Sequence, residues 1–70
     1  MTKYERQLRT WIQDGRLVRI ELLKGRGERQ WLLGRILNLD MQVKQLIVYQ
    51  VDEKKVYNLK LNEIENIVET

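Results

Sequence analysis

Seventy residues and 8.5 kDa hold one domain at most, with little margin from burial unless the core is well packed, stapled or shared in an oligomer. The chain contains no Cys, His, Ser, Ala, Pro or Phe, which excludes disulfides, Cys/His zinc sites, redox CxxC motifs, His-based catalysis and Ser or Cys nucleophiles. Net charge is +3, but residues 1–39 carry nine basic and four acidic side chains and residues 40–70 four basic and six acidic, a skew with two readings: one basic face meeting nucleic acid or an acidic partner, or a solvated surface on which charges cluster by chance.

Tyr4, Leu8, Trp11 and Ile12 fall at i, i+4, i+7 and i+8, and predict an amphipathic helix over residues 3–14. Thr2 and Glu5 have capping-box spacing at its start. Gly15 stands where a left-handed residue ends a helix. From Arg16 the period changes to two, and Val18, Ile20 and Leu22 predict a strand over 16–24. Gly25-Arg26-Gly27-Glu28 reads as a hairpin tip with two glycines free to take positive φ. A second strand follows over 29–39, with Gly34 inside it marking a bend or bulge. Asp40 to Val43 reads as a turn that the Asp40 carboxylate fixes by accepting backbone N–H groups. The third strand covers 45–51, with Ile47 and Val51 expected in the core. Asp52 to Lys55 is a polar hairpin turn, followed by strands over 56–61 and 64–68.

A helix and then five strands with tight connections imply an antiparallel meander. The expected fold is mainly β: a small, strongly bent five-stranded antiparallel SH3/Sm-like barrel, partly open, with the N-terminal helix over one end or edge. The expected core is Leu8, Trp11, Ile12, Val18, Ile20, Leu22, Leu33, Ile36, Ile47, Val51, Leu59, Ile64 and Ile67. The whole chain forms one domain, 1–70.

The helix, the run Val18-Arg-Ile-Glu-Leu-Leu-Lys-Gly25 and the stretch Leu33-Gly34-Arg-Ile36-Leu-Asn-Leu-Asp40 resemble the Sm-like fold of bacterial Hfq. Gly34 to Asp40 matches the Gly-x-Ile-x-x-x-Asp run of the first Sm motif. Lys44 stands where that pattern places a base-contacting Asn, and Tyr57-Asn58-Leu59-Lys60 lies near the place of the Tyr-Lys-His signature without its His. A fuller likeness is to the YolD-like family of small bacterial proteins. Asp14-Gly15-Arg-Leu-Val18-Arg-Ile20, Gly34 to Asp40 and Val56-Tyr-Asn-Leu59-Lys-Leu61-Asn-Glu-Ile64-Glu-Asn-Ile67 lay over that family's outline. The resemblance implies a nucleic-acid-linked role beside Y-family repair polymerases and the DNA-damage response.

No enclosed acid–base pair is expected, since Asp52 and Glu53 fall in an exposed turn. Gly25-Arg26-Gly27 leads into a strand, so it offers no helix N-terminus to a phosphate. No catalytic residue, metal or cofactor is expected. The candidate nucleic-acid-binding set is Lys24, Arg26 and Arg29 at the first hairpin, Arg35 further along, and Trp31 among them; Arg16 and Arg19 lie on the first strand. Arg grips phosphate in bidentate fashion, which gives affinity without sequence information. Trp31 has two readings, a core ring beneath the helix or an exposed ring that stacks a base. The expected function is thus a non-enzymatic module on single-stranded nucleic acid. No apolar run reaches the ~18 residues of a membrane span, and no apolar leader follows Met1, so a cytoplasmic location is expected. The alternative is a protein-interaction or assembly subunit that binds a partner, or further copies of itself, through an exposed strand edge.

Overall fold

The computed structural model describes residues 3–70. Helix α1 (Lys3–Asp14) opens the chain. Its end is closed by Gly15, which takes φ 63 and donates its N–H to Ile12 O at 3.2 Å, while the Arg16 N–H reaches Trp11 O at 3.0 Å. This paired closure is the Schellman arrangement that a left-handed glycine allows. The cap expected at Thr2 lies outside the described residues.

Five strands follow: β1 (Leu17–Leu23), β2 (Arg29–Asp40), β3 (Gln45–Gln50), β4 (Lys55–Lys60) and, after a 3-10 turn at Leu61–Glu63, β5 (Ile64–Glu69). The fold is therefore mainly β with one N-terminal helix, and every expected strand is present within one residue at each end. Two boundaries are corrected. Val51 belongs to the β3–β4 turn, and Leu61 opens the 3-10 turn instead of closing β4. All pairings are antiparallel, in the order β4-β3-β2-β1-β5. The last strand thus returns beside the first, as in a small barrel-like sheet.

The sheet bends at identifiable places. The β2–β3 register shifts between Ile36 and Asn38, and the β1–β5 register between Glu21 and Leu22. Such bulges raise local twist and curl a sheet. At Gly34 the β3 backbone comes so close that a Cβ would run into the Tyr49 carbonyl oxygen and lie 2.9 Å from Val48 Cγ1.

The concave face carries the core: Val18, Ile20 and Leu22 from β1, Leu32, Ile36 and Leu39 from β2, Leu46 and Val48 from β3, Leu59 from β4 and Ile67 from β5. Helix α1 packs against β2 and adds Leu8 and Trp11. Ile12 and Ile64 are partly buried beside this cluster. Three expectations fail. Leu46 and Val48 face inward where Ile47 and Val51 were expected, and Leu32 replaces Leu33. The runs Trp31-Leu32-Leu33 and Leu46-Ile47-Val48 are apolar at every position, so a period of two does not fix their phase. The pairs Leu46↔Leu59 and Val48↔Tyr57 fix it instead. The bulge then resets β2, so Ile36 and Leu39 both point inward although three residues apart.

The chain ends are fastened together. Trp11 Nε1 donates to Glu69 Oε1 at 2.6 Å, and Arg16 Nη2 lies 3.4 Å from Glu69 Oε2. Thr70 donates its N–H and its hydroxyl to Leu17 O at 3.3 and 3.2 Å. Replacing Glu69 by Ala leaves the indole N–H of a buried Trp without its acceptor. The expected loss is about 1–2 kcal/mol in urea denaturation. Glu69→Gln should recover much of that loss, because its amide oxygen accepts the same N–H.

Candidate nucleic-acid interface

Alternation along β2 sends Arg29, Trp31, Leu33 and Arg35 to the convex face, opposite the core. Pairing sets their neighbours. Glu21 lies across from Trp31, Arg19 across from Leu33, and Tyr49 across from Arg35. Trp31 is 55% exposed, which decides between its two sequence readings: Leu32 takes the core position and the indole faces out.

The Arg19 guanidinium carbon sits 5.9 Å from the Trp31 ring centroid, within cation–π range. Arg29 Nη1 donates to Glu21 Oε2 at 3.1 Å, so part of its charge is engaged. Among the described residues, no carboxylate lies within ion-pair distance of Arg19 or Arg35. Arg29 and Arg35 are six residues apart, roughly 20 Å along an extended strand. Three arginines and a tryptophan therefore share one face about as long as a short segment of single strand.

Lys24 and Arg26 stand apart from that row. They belong to the exposed β1–β2 hairpin, closed by Lys24 N–H to Glu28 O at 2.8 Å and Gly27 N–H to Lys24 O at 2.9 Å, with Gly27 at φ 80. Of the expected set, the structure brings together Arg29, Trp31 and Arg35, and sets Lys24 and Arg26 at the hairpin end of the sheet. It adds Arg19 as the stacking partner. That role follows from the diagonal placement of Arg19 and Trp31, which the hairpin register reveals and residue spacing alone does not.

Two pockets escaped the charge tally. One, of about 190 Å³, is lined by Val43, Lys44, Gln45, Lys60 and Asn62. Lys44 is left-handed at φ 56, and its carbonyl accepts the Leu61 N–H at 2.9 Å, joining the β2–β3 turn to the end of β4. Asp40 Oδ1 accepts from the Gln42 and Val43 N–H groups at 3.0 and 3.4 Å, the turn-fixing role read from the sequence. The second pocket, of about 220 Å³, opens at the barrel mouth between the first hairpin and the β3–β4 turn. Leu22, Leu32 and Leu59 form its apolar part, and Lys24, Gln30, Gln50, Glu53 and Tyr57 its polar part. Gln50 is the buried polar side chain of the core, and its Oε1 accepts the Glu53 N–H.

Among the described residues, no group of three or more His, Cys, Asp or Glu side chains is placed to hold a metal ion. No helix among them is long and apolar enough to cross a membrane. No protein-family model and no curated protein matches the chain.

Proposed function

We propose that the protein is a non-enzymatic module that binds single-stranded nucleic acid across the convex face of β1 and β2. The observation that carries this reading is Trp31, more than half exposed and stacked by Arg19, between Arg29 and Arg35 on one strand face. An exposed indole offers a π-face to any unstacked base, worth about 1–3 kcal/mol per base. The arginines supply phosphate contacts, which set the strand's path and carry no sequence information. A duplex keeps its base faces stacked inside, so this arrangement favours a single strand. The lysines of the 190 Å³ pocket extend the cationic surface past the β2–β3 turn. The likeness to YolD-like proteins supports placing this module in the cytoplasm beside DNA-repair polymerases.

The test is fluorescence anisotropy with labelled single-stranded and duplex oligonucleotides at several salt concentrations. Phosphate contacts from Arg19, Arg29 and Arg35 predict a log–log salt slope of roughly −2 on single strands. Trp31→Ala should weaken binding about tenfold with the slope unchanged. Arg35→Glu should lower both affinity and slope. Absence of binding at low salt, or indifference to Arg35→Glu, overturns the reading. In that event the assembly reading takes its place. It is favoured by the two sheet edges, since β4 and β5 each have one neighbour and keep one side of the backbone unpaired.

A further inference from the structure

We infer that the pocket at the barrel mouth takes a single guanine base, an inference that rests on the preceding reading for the strand that delivers it. The volume sets the first limit. About 220 Å³ is smaller than the 300–1,000 Å³ typical of sites for drug-sized ligands, and suits one planar ring system. Leu22, Leu32 and Leu59 give it apolar walls, and the Trp31 position closes its edge at the start of β2.

The polar groups select among bases. Gln50 Oε1 is committed to the Glu53 backbone N–H, which fixes the orientation of the amide. Its NH2 group is what Gln50 then offers to the pocket it lines. No fully buried side-chain nitrogen or oxygen among the described residues lacks a partner, so this NH2 group is one that solvent reaches. The Glu53 carboxylate sits at the same mouth, where the Tyr57 hydroxyl donates to it at 3.4 Å and Lys55 Nζ lies 3.8 Å from its Oε2 on the exposed turn. The site thus presents one amide donor beside one two-oxygen acceptor. Guanine carries the complement on its Watson–Crick edge: N1–H and the 2-amino group for the carboxylate, and O6 for the Gln50 amide. Uracil and thymine place a carbonyl on each side of a single N–H and would set an oxygen against the Glu53 carboxylate. Adenine and cytosine each offer one amino group beside a ring acceptor, which leaves one carboxylate oxygen unmatched. Lys24 at the rim faces the phosphate that the base brings with it.

The experiment compares an oligothymidylate with the same strand carrying isolated guanines, at one salt concentration. The guanine strand should bind about tenfold tighter, the size of one bidentate pair. Glu53→Gln keeps the backbone N–H that Gln50 accepts from and changes an exposed side chain, so the fold is retained. It should bring the guanine-to-thymine ratio close to one. Guanosine monophosphate titrated alone should shift the Gln50 side-chain amide in NMR spectra, while uridine monophosphate leaves it in place. Salt-sensitive strand binding with no guanine preference and no amide shift overturns this inference and leaves the convex-face reading standing. An amide shift without any strand binding overturns the convex-face reading and supports the pocket.

Discussion

Gly34→Ala is expected to remove most of the protein's folding stability. Gly34 is buried in the middle of β2, opposite Val18 on β1 and Gln50 on β3. A methyl group there meets the Tyr49 carbonyl oxygen and, at 2.9 Å, Val48 Cγ1. Neither can give way easily. The carbonyl is backbone in the middle of a paired strand, and Val48 is fully buried. Relief therefore requires β2 and β3 to separate, which sacrifices ladder hydrogen bonds. Overpacking costs about 1–3 kcal/mol where side chains can adjust, and a backbone clash lies at or above the top of that range. A domain this small draws roughly 3–5 kcal/mol from its core, so the change consumes most of the stability. Circular dichroism melting and amide dispersion in NMR spectra would read the loss. Gly25→Ala is the control: nothing lies within 4 Å of its added Cβ and its φ is not positive, so its melting temperature should match the parent or rise slightly. A Gly34→Ala variant that melts with the parent would mean that the close approach of β2 and β3 is not a feature of the folded protein.

The same glycine shows how far the amino-acid sequence could be read. Its place inside a long apolar strand suggested a bend or bulge, but pairing at Gly34 is regular and the bulge lies further on, between Ile36 and Asn38. What the sequence did not carry was the identity of the backbone it nestles against, because Tyr49 is brought there by β2–β3 pairing with a register shift. Element order was legible for a local reason. Tight polar turns at Gly25–Glu28, Asp40–Lys44 and Asp52–Lys54 separate runs of strand length, and Gly15 ends the helix. Strand phase was not legible where apolar residues run together. Trp31 illustrates the consequence: its exposure depends on Leu32 taking the core position, a choice made by tertiary pairing. The candidate site was accordingly legible in part. Arg29, Trp31 and Arg35 share a face by simple alternation, whereas Arg19 joins them only through the hairpin register. Lys44, Lys60 and Asn62 meet through the Lys44 O to Leu61 N–H bond, and Gln50 reaches the barrel mouth because β3 turns it inward. No local spacing encodes either arrangement.

Leu46→Ala and Ile47→Ala should differ sharply although the residues are adjacent and both aliphatic. Leu46 is fully buried and pairs with buried Leu59 across β3–β4, so truncation leaves a cavity in the core. Leu→Ala changes at such sites cost about 2–5 kcal/mol, and a domain of this size should lose most of its folded population. Ile47 is half-buried on the convex face, between Asn38 and Asn58, where water refills the space. Its truncation should cost no more than about 1 kcal/mol. Urea denaturation of the two variants reads the difference directly, with unchanged dependence on denaturant as the sign that only stability has moved. The comparison reaches beyond packing because phase is shared along paired strands. Residues opposite each other in an antiparallel pair project to the same side, so the face of Ile47 is also the face of Tyr49 and of Arg35 opposite it. Were Ile47 the costly position, Tyr49 and Arg35 would have to point into the core, and Arg35 would stand there as an unpaired buried charge. The core measurement thus also tests whether the proposed binding face looks outward.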